Sequence, residues 1–121
     1  ITVEVKNHYS PYDQKLISKI SKIIEDNISN PDFSTKDFAA EIGLSRMQLH
    51  RKLKALLGQS TTSFINNIKM QYAAKMFDEG CDRIQEAMDA VGINSYAHFN
   101  YIFKKHNGKT ASKYISDKEL N

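Results

Sequence analysis

A chain of 121 residues with 40% hydrophobic and 26% charged side chains has the size of one domain or two very small ones, and it is too apolar for a disordered tail. Its single cysteine, Cys81, excludes an internal disulfide framework and suits a reducing compartment; no apolar run approaches the roughly 20 residues that cross a bilayer. The net charge of +3 is uneven, with five basic and seven acidic residues in 1–44 against twelve and seven in 45–121.

The chain opens at Ile1 with "ITVEVKNHY", a short alternating stretch that reads as a tether (residues 1–9) from an upstream domain of a longer, cytoplasmic polypeptide. Ser10-Pro11-Tyr12-Asp13 then starts a helix: a serine cap, a proline in the first turn and an acid three residues after the cap. Leu16, Ile17, Ile20, Ile23, Ile24 and Ile28 mark its apolar face, and it should end near Asn30-Pro31. Ser34 caps a short second helix, Thr35 to Ile42, with Asp37 at its third position, Phe33 clasping Phe38, and Gly43 as the stop. Ser45 caps the third, "SRMQLHRKLKALLG", in a capping box with Gln48 that runs to Gly58. A long helix follows from Ser60 or Thr61 to about Glu79, burying Phe64, Ile65, Ile68, Tyr72, Ala73 and Met76. Asp82 is the expected cap of a short helix through Ala90, stopped by Gly92. Asn94 or Ser95 begins another that buries Phe99, Ile102 and Phe103, and Thr110 begins the last, through Tyr114 and Ile115. The expected fold is all-α: seven helices and no credible sheet.

An internal repeat runs through these helices. "FAAEIGLS" aligns with "AMDAVGIN" at an offset of 49 residues. One inserted residue shifts the offset to 50, so that Leu49, Leu53, Lys54 and Gly58 match Phe99, Phe103, Lys104 and Gly108. Each copy is a short helix, a glycine-containing turn and a second helix, the helix-turn-helix pattern whose second helix can enter a DNA major groove. The expected organisation is a first helix-turn-helix subdomain (10–59), a linker helix (60–80) and a second subdomain (81–121). Charge agrees with a polyanionic partner. Six Lys or Arg and no carboxylate lie between Glu41 and Asp78; four Lys and no carboxylate lie between Asp89 and Asp117. The third helix leaves Arg46, Met47, His50 and Arg51 on its free face. An arginine can bond a guanine edge in bidentate fashion, and apolar atoms can touch a thymine methyl. Lys52 and Lys54 lie to the sides, suited to phosphates. A linker helix of about 19 residues spans roughly 28 Å, comparable with the ~34 Å between successive major grooves on one side of a duplex.

The stretches "FSTKDFAAEIGLSRMQLHRKLKALLGQS" and "VGINSYAHFNYIFKKHNGKTASKYI" resemble the DNA-binding domain of AraC/XylS-type transcription regulators, over more than two-thirds of the chain. The helix upstream with "NPDFS" is similar to output domains of hybrid two-component regulators. The resemblance implies sequence-specific binding of double-stranded DNA by two recognition helices in successive major grooves. It also implies a regulator, expected to activate, that is coupled to the transcription machinery and to an upstream receiver or sensor region, with no cofactor. Position in the family's motif makes Met47, His50 and Arg51 the base readers of the first unit, with Arg46 beside them; the matching positions in the second are Tyr96, Ala97, Asn100 and Tyr101. Ser45, Lys52, Lys54, Ser60, Lys104, Lys105, Lys109 and Thr110 are the expected phosphate contacts. The chain departs from the family pattern at Tyr101, where an arginine is usual, at Ile93 for a phenylalanine, and at Met88 for a small residue; prolines are absent at Thr61 and Ala111. The first unit is therefore expected to carry most base discrimination.

Other chemistry fares poorly. There is no phosphate-cradling glycine loop, no Cys/His cluster with zinc spacing and no base placed to activate Cys81, so neither catalytic nor metal residues are expected. The rival function is a protein-docking module on the same fold, with RNA binding a weaker rival. No dimer seam is evident, so the fragment is expected to be monomeric, without membrane contact.

Overall fold

The computed structural model describes residues 9–119; of the tether expected at 1–9, all but Tyr9 lies outside the described residues. Among the described residues there are seven helices and no strand: α1 (Pro11–Asn27), α2 (Thr35–Ile42), α3 (Arg46–Leu57), α4 (Thr61–Asp78), α5 (Ile84–Ala90), α6 (Tyr96–Asn107) and α7 (Ala111–Glu119). The chain forms two compact units. One comprises the residues up to Asn27 together with Phe33–Ile65; the other comprises Ile28–Asp32 together with Asn66 onward. The division falls inside α4, whose first turn belongs to the first unit and whose remainder belongs to the second.

The first unit is built on Ile17, Ile20, Ile23 and Ile24 of α1, Phe38 and Ala39 of α2, Leu49 and Leu53 of α3, and Phe64 of α4, all buried. The isoleucines of α1 recur every three or four residues, so one stripe of that helix meets α2. Ser10 caps α1 through the Asp13 amide at 3.1 Å. Tyr9, just before it, is anchored: its hydroxyl donates to the Leu56 carbonyl, and its own carbonyl accepts from Gln14 at 3.0 Å. The Phe33 and Phe38 rings sit 6.3 Å apart as the staple predicts. Ile28 does not join this stripe. Helix α1 stops at Asn27, and Ile28 packs half-buried into the core of the second unit.

That second core gathers Met70, Ala73 and Phe77 of α4, Ala87 and Met88 of α5, Val91 and Ile93 of the turn that follows, Phe99, Ile102 and Phe103 of α6, and Ala111 of α7. Met70 and Phe77 escape the sequence pattern because α4 has no single buried face; Tyr72 and Met76, expected inside, are half-buried. Asp82 is not the cap of α5. Arg83 occupies that position without any side-chain cap bond, and the helix starts one residue later than expected.

The repeat is visible bond by bond. Leu44 N donates to Ala39 O at 3.0 Å, and Ile93 N to Met88 O at the same distance. Ser45 Oγ accepts from Gln48 N at 3.1 Å, and Ser95 Oγ from His98 N at 3.2 Å. Gly58 and Gly108, both left-handed, donate to Lys54 O and Lys104 O. Ser60 and Thr110 then cap the next helices through Ser63 N and Lys113 N. The copies differ at their N-caps: α2 and α3 each carry a capping box, Ser34 with Asp37 and Ser45 with Gln48, whereas α5 has no side-chain cap bond and α6 has a serine cap without the returning bond.

A polar knot fastens α7 to the end of α4. The Tyr114 hydroxyl donates to Asp78 at 2.6 Å, Lys118 meets the same carboxylate at 2.5 Å, and Lys109 and Lys118 flank the Tyr114 ring. Desolvation by burial, helped by Asp78, pushes the Tyr114 phenol from its ordinary 10 up to about 12. The unfolded chain then loses this proton first as pH rises. The contribution is complete below pH 10 and is lost between pH 10 and about 12. Urea midpoints should fall across that window, and fall less in Tyr114→Phe; equal falls in both chains would exclude the phenol as a cause.

Candidate nucleic-acid interface

Burial of Leu49 and Leu53 fixes the rotation of α3 and so decides what faces outward. Arg46, Met47, His50 and Arg51 are all exposed, at spacings i, i+1, i+4 and i+5. Met47 is 63% exposed, which rules out a packing role. The Arg51 guanidinium donates to the Met47 sulfur at 2.8 Å, so the two side chains travel together. Neither arginine meets a carboxylate among the described residues, as the acid-free window predicts.

Beside this face lies a groove of about 670 Å³, lined in part by Thr35, Ser45, Arg46, His50, Ser60 and Thr62. These residues stand at the beginnings of α2, α3 and α4, together with the outward turn of α3. Three helix N-termini, each with positive partial charge, thus border one opening. Ser45 and Ser60 spend their oxygen lone pairs on caps, which leaves their hydroxyl protons available to an acceptor. Thr35 and Thr62 were not singled out from the sequence. Their signal was the cap position each one follows, Ser34 and Ser60.

Lys54 is exposed and makes no ion pair among the described residues. Lys52 has partners within the first unit. It turns toward α1, 3.7 Å from Asp13 and 5.6 Å from the Tyr12 ring centroid. The cause is the one acid of the first turn of α1, which lies within reach of a lysine on the flank of α3.

In the second unit Phe99, Ile102 and Phe103 orient α6 in the same manner. Tyr96, Ala97 and Tyr101 are exposed, the two tyrosines by 54% and 67%. Asn100 is not free. It is half-buried, and its Oδ1 is fully buried without a partner. Hydrogen bonds from the Asn100 and Ser112 side chains hold the Tyr96 phenol below its ordinary value. Ser112 had no sequence signal beyond its match to Thr62 in the repeat. Lys104 and Lys105 are exposed without ion pairs among the described residues. Lys109 also has partners of its own: it sits 2.7 Å from Asp117 and over the Tyr114 ring. Thr110 serves as a cap.

No cluster of three or more His, Cys, Asp or Glu able to hold a metal occurs among the described residues, and no described helix is long and apolar enough to cross a membrane.

Comparison with known proteins adds an independent line. A family model described as "Helix-turn-helix domain" matches residues 38–117. A protein named "Histidine kinase P4" from Formosa agariphila is 33% identical over 105 residues, covering 87% of this chain; the chain spans only 8% of that kinase's length. The C-terminal domain of AraT, a response regulator from Geobacillus stearothermophilus, superposes with a TM-score of 0.77 at 24% identity, over 92% of this chain and 88% of that one. A transcriptional regulator from Chromobacterium violaceum, described as containing an AraC-type DNA-binding domain, gives a TM-score of 0.77 at 24% identity, over 90% and 96%.

Proposed function

Since the chain belongs to the AraC-type helix-turn-helix family, we propose that it binds double-stranded DNA sequence-specifically and regulates transcription through that contact. The observation that carries this is the outward face of α3: two arginines, a histidine and a methionine, exposed and opposed by no carboxylate, on a helix whose other face is locked by leucines. Arg46 and Arg51 have the chemistry for guanine edges, with Met47 and His50 beside them. Lys54, Lys104, Lys105 and the hydroxyls of Ser45, Ser60 and Thr110 serve the phosphates. The finer roles follow the same logic. The likeness to a histidine kinase and to a response regulator's C-terminal domain supports an output domain driven by an upstream receiver or sensor region. Its expected place is the cytoplasm, where it would act on the transcription machinery as an activator. Two units in one chain can occupy a non-palindromic site as a monomer. No residue is assigned to catalysis or to a cofactor.

Salt tests the proposal against a docking module. A chain neutralising about five phosphates should show log K falling with log salt at a slope near −4.5. Binding of random duplex that is absent, or indifferent to salt, would favour a protein partner instead.

A further inference from the structure

The two recognition helices share a serine N-cap and a left-handed glycine C-cap, yet their outward faces carry different chemistry. The positions held by Arg46, Met47, His50 and Arg51 in α3 are held by Tyr96, Ala97, Asn100 and Tyr101 in α6. The α6 face has no cation until Lys104, a full two turns beyond Tyr96. It therefore lacks the forked donor that a guanine O6/N7 edge demands. Asparagine is the usual reader of adenine, through its oxygen and its nitrogen at once. Asn100 cannot do this, because the Oδ1 end of its amide is buried against the protein. Exchanging the amide's oxygen and nitrogen leaves the same end buried, so the exclusion does not depend on that assignment. What α6 offers to a groove is a methyl group, Ala97, between two exposed aromatic rings, Tyr96 and Tyr101.

A major groove presents one apolar feature of matching size, the C5-methyl of thymine. We propose that α6 reads its half of the operator through thymine methyl groups, with Ala97 and the flanking tyrosine rings as the apolar surface. The site is then chemically divided, guanine-bearing under α3 and thymine-bearing under α6. This rests on the DNA-binding function proposed above. Tyr96 is hydrogen-bonded by the Asn100 and Ser112 side chains, and Tyr101 is the more exposed ring.

The test changes the DNA and leaves the protein intact. Duplexes bound by the chain are selected from a random pool, and positions whose preference survives in Arg51→Ala but is lost in Tyr101→Ala are assigned to α6. Each thymine at those positions is then replaced by deoxyuridine, which removes only the methyl. The expected result is A·T pairs at those positions and a loss of about fourfold in affinity per contacted methyl, the worth of one buried carbon. A guanine preference there, or full affinity for the uracil duplex, would overturn the inference while leaving DNA binding in place. Failure to enrich any duplex would refute the DNA-binding function itself.

Discussion

Replacing Gly92 by alanine should cost about 3–4 kcal/mol of stability, several times the effect of most surface substitutions. Two causes add. Gly92 has φ of +67°, a conformation that strains any residue with a Cβ by about 1–2 kcal/mol. A Cβ there would also stand 2.9 Å from the Ile28 carbonyl oxygen and 3.0 and 3.1 Å from the carbonyl carbons of Ser29 and Asn30. Backbone cannot swing aside as a flexible side chain can, so the segment or the turn must move. Gly43, its partner in the repeat, has φ of +85° and open space at the Cβ position. Gly43→Ala should therefore lose only the strain, about 1–2 kcal/mol. Urea unfolding of both variants measures the difference. Equal losses would mean that Ile28–Asn30 gives way freely.

Arg51→Ala should weaken binding to a preferred duplex by about 10- to 100-fold and erase a guanine preference at one position, with little change in folding. Arg51 is exposed and its one polar contact among the described residues is the Met47 sulfur, so its removal opens no cavity. Binding of unrelated duplex should drop far less, since a single charge is only one among several phosphate partners. Selection of bound sequences with the variant and the parent chain decides it. A guanine preference that survives in Arg51→Ala but disappears in Tyr101→Ala would show that the two units have the opposite roles.

Much of this could be read from the sequence, because its local signals and its global pattern agree. Ser34 with Asp37, Ser45 with Gln48, and glycines 43, 58 and 108 mark helix ends that the structure places within a residue of expectation. The outward face of α3 follows from two leucines alone. What was illegible depended on partners distant in sequence. That Lys52 lies beside Asp13 and Lys109 beside Asp117 had no local signal. Asn100 reads as a base contact until its amide is found half-enclosed next to Tyr96. The missed core residues have a different cause. Helix α4 serves two cores in succession, so Met70 and Phe77 fall outside any single periodic stripe. Asp82 failed as a cap because proximity to a helix start does not fix the backbone turn that a cap needs.

Residues Ile28–Asp32 connect two helices of the first unit but belong to the second. The duplication seen in the sequence is thus no longer separable at the long helix that joins the copies. A chimera exchanged at Ile65 would carry the connector of one parent and the Gly92 turn of the other, and a fragment beginning at Asn66 would lack the connector altogether. Recombination that respects the fold must move both pieces together. For an ancestral tandem of equal modules, that linkage makes the pair inherit as one body, while the two reading faces remain at liberty to diverge.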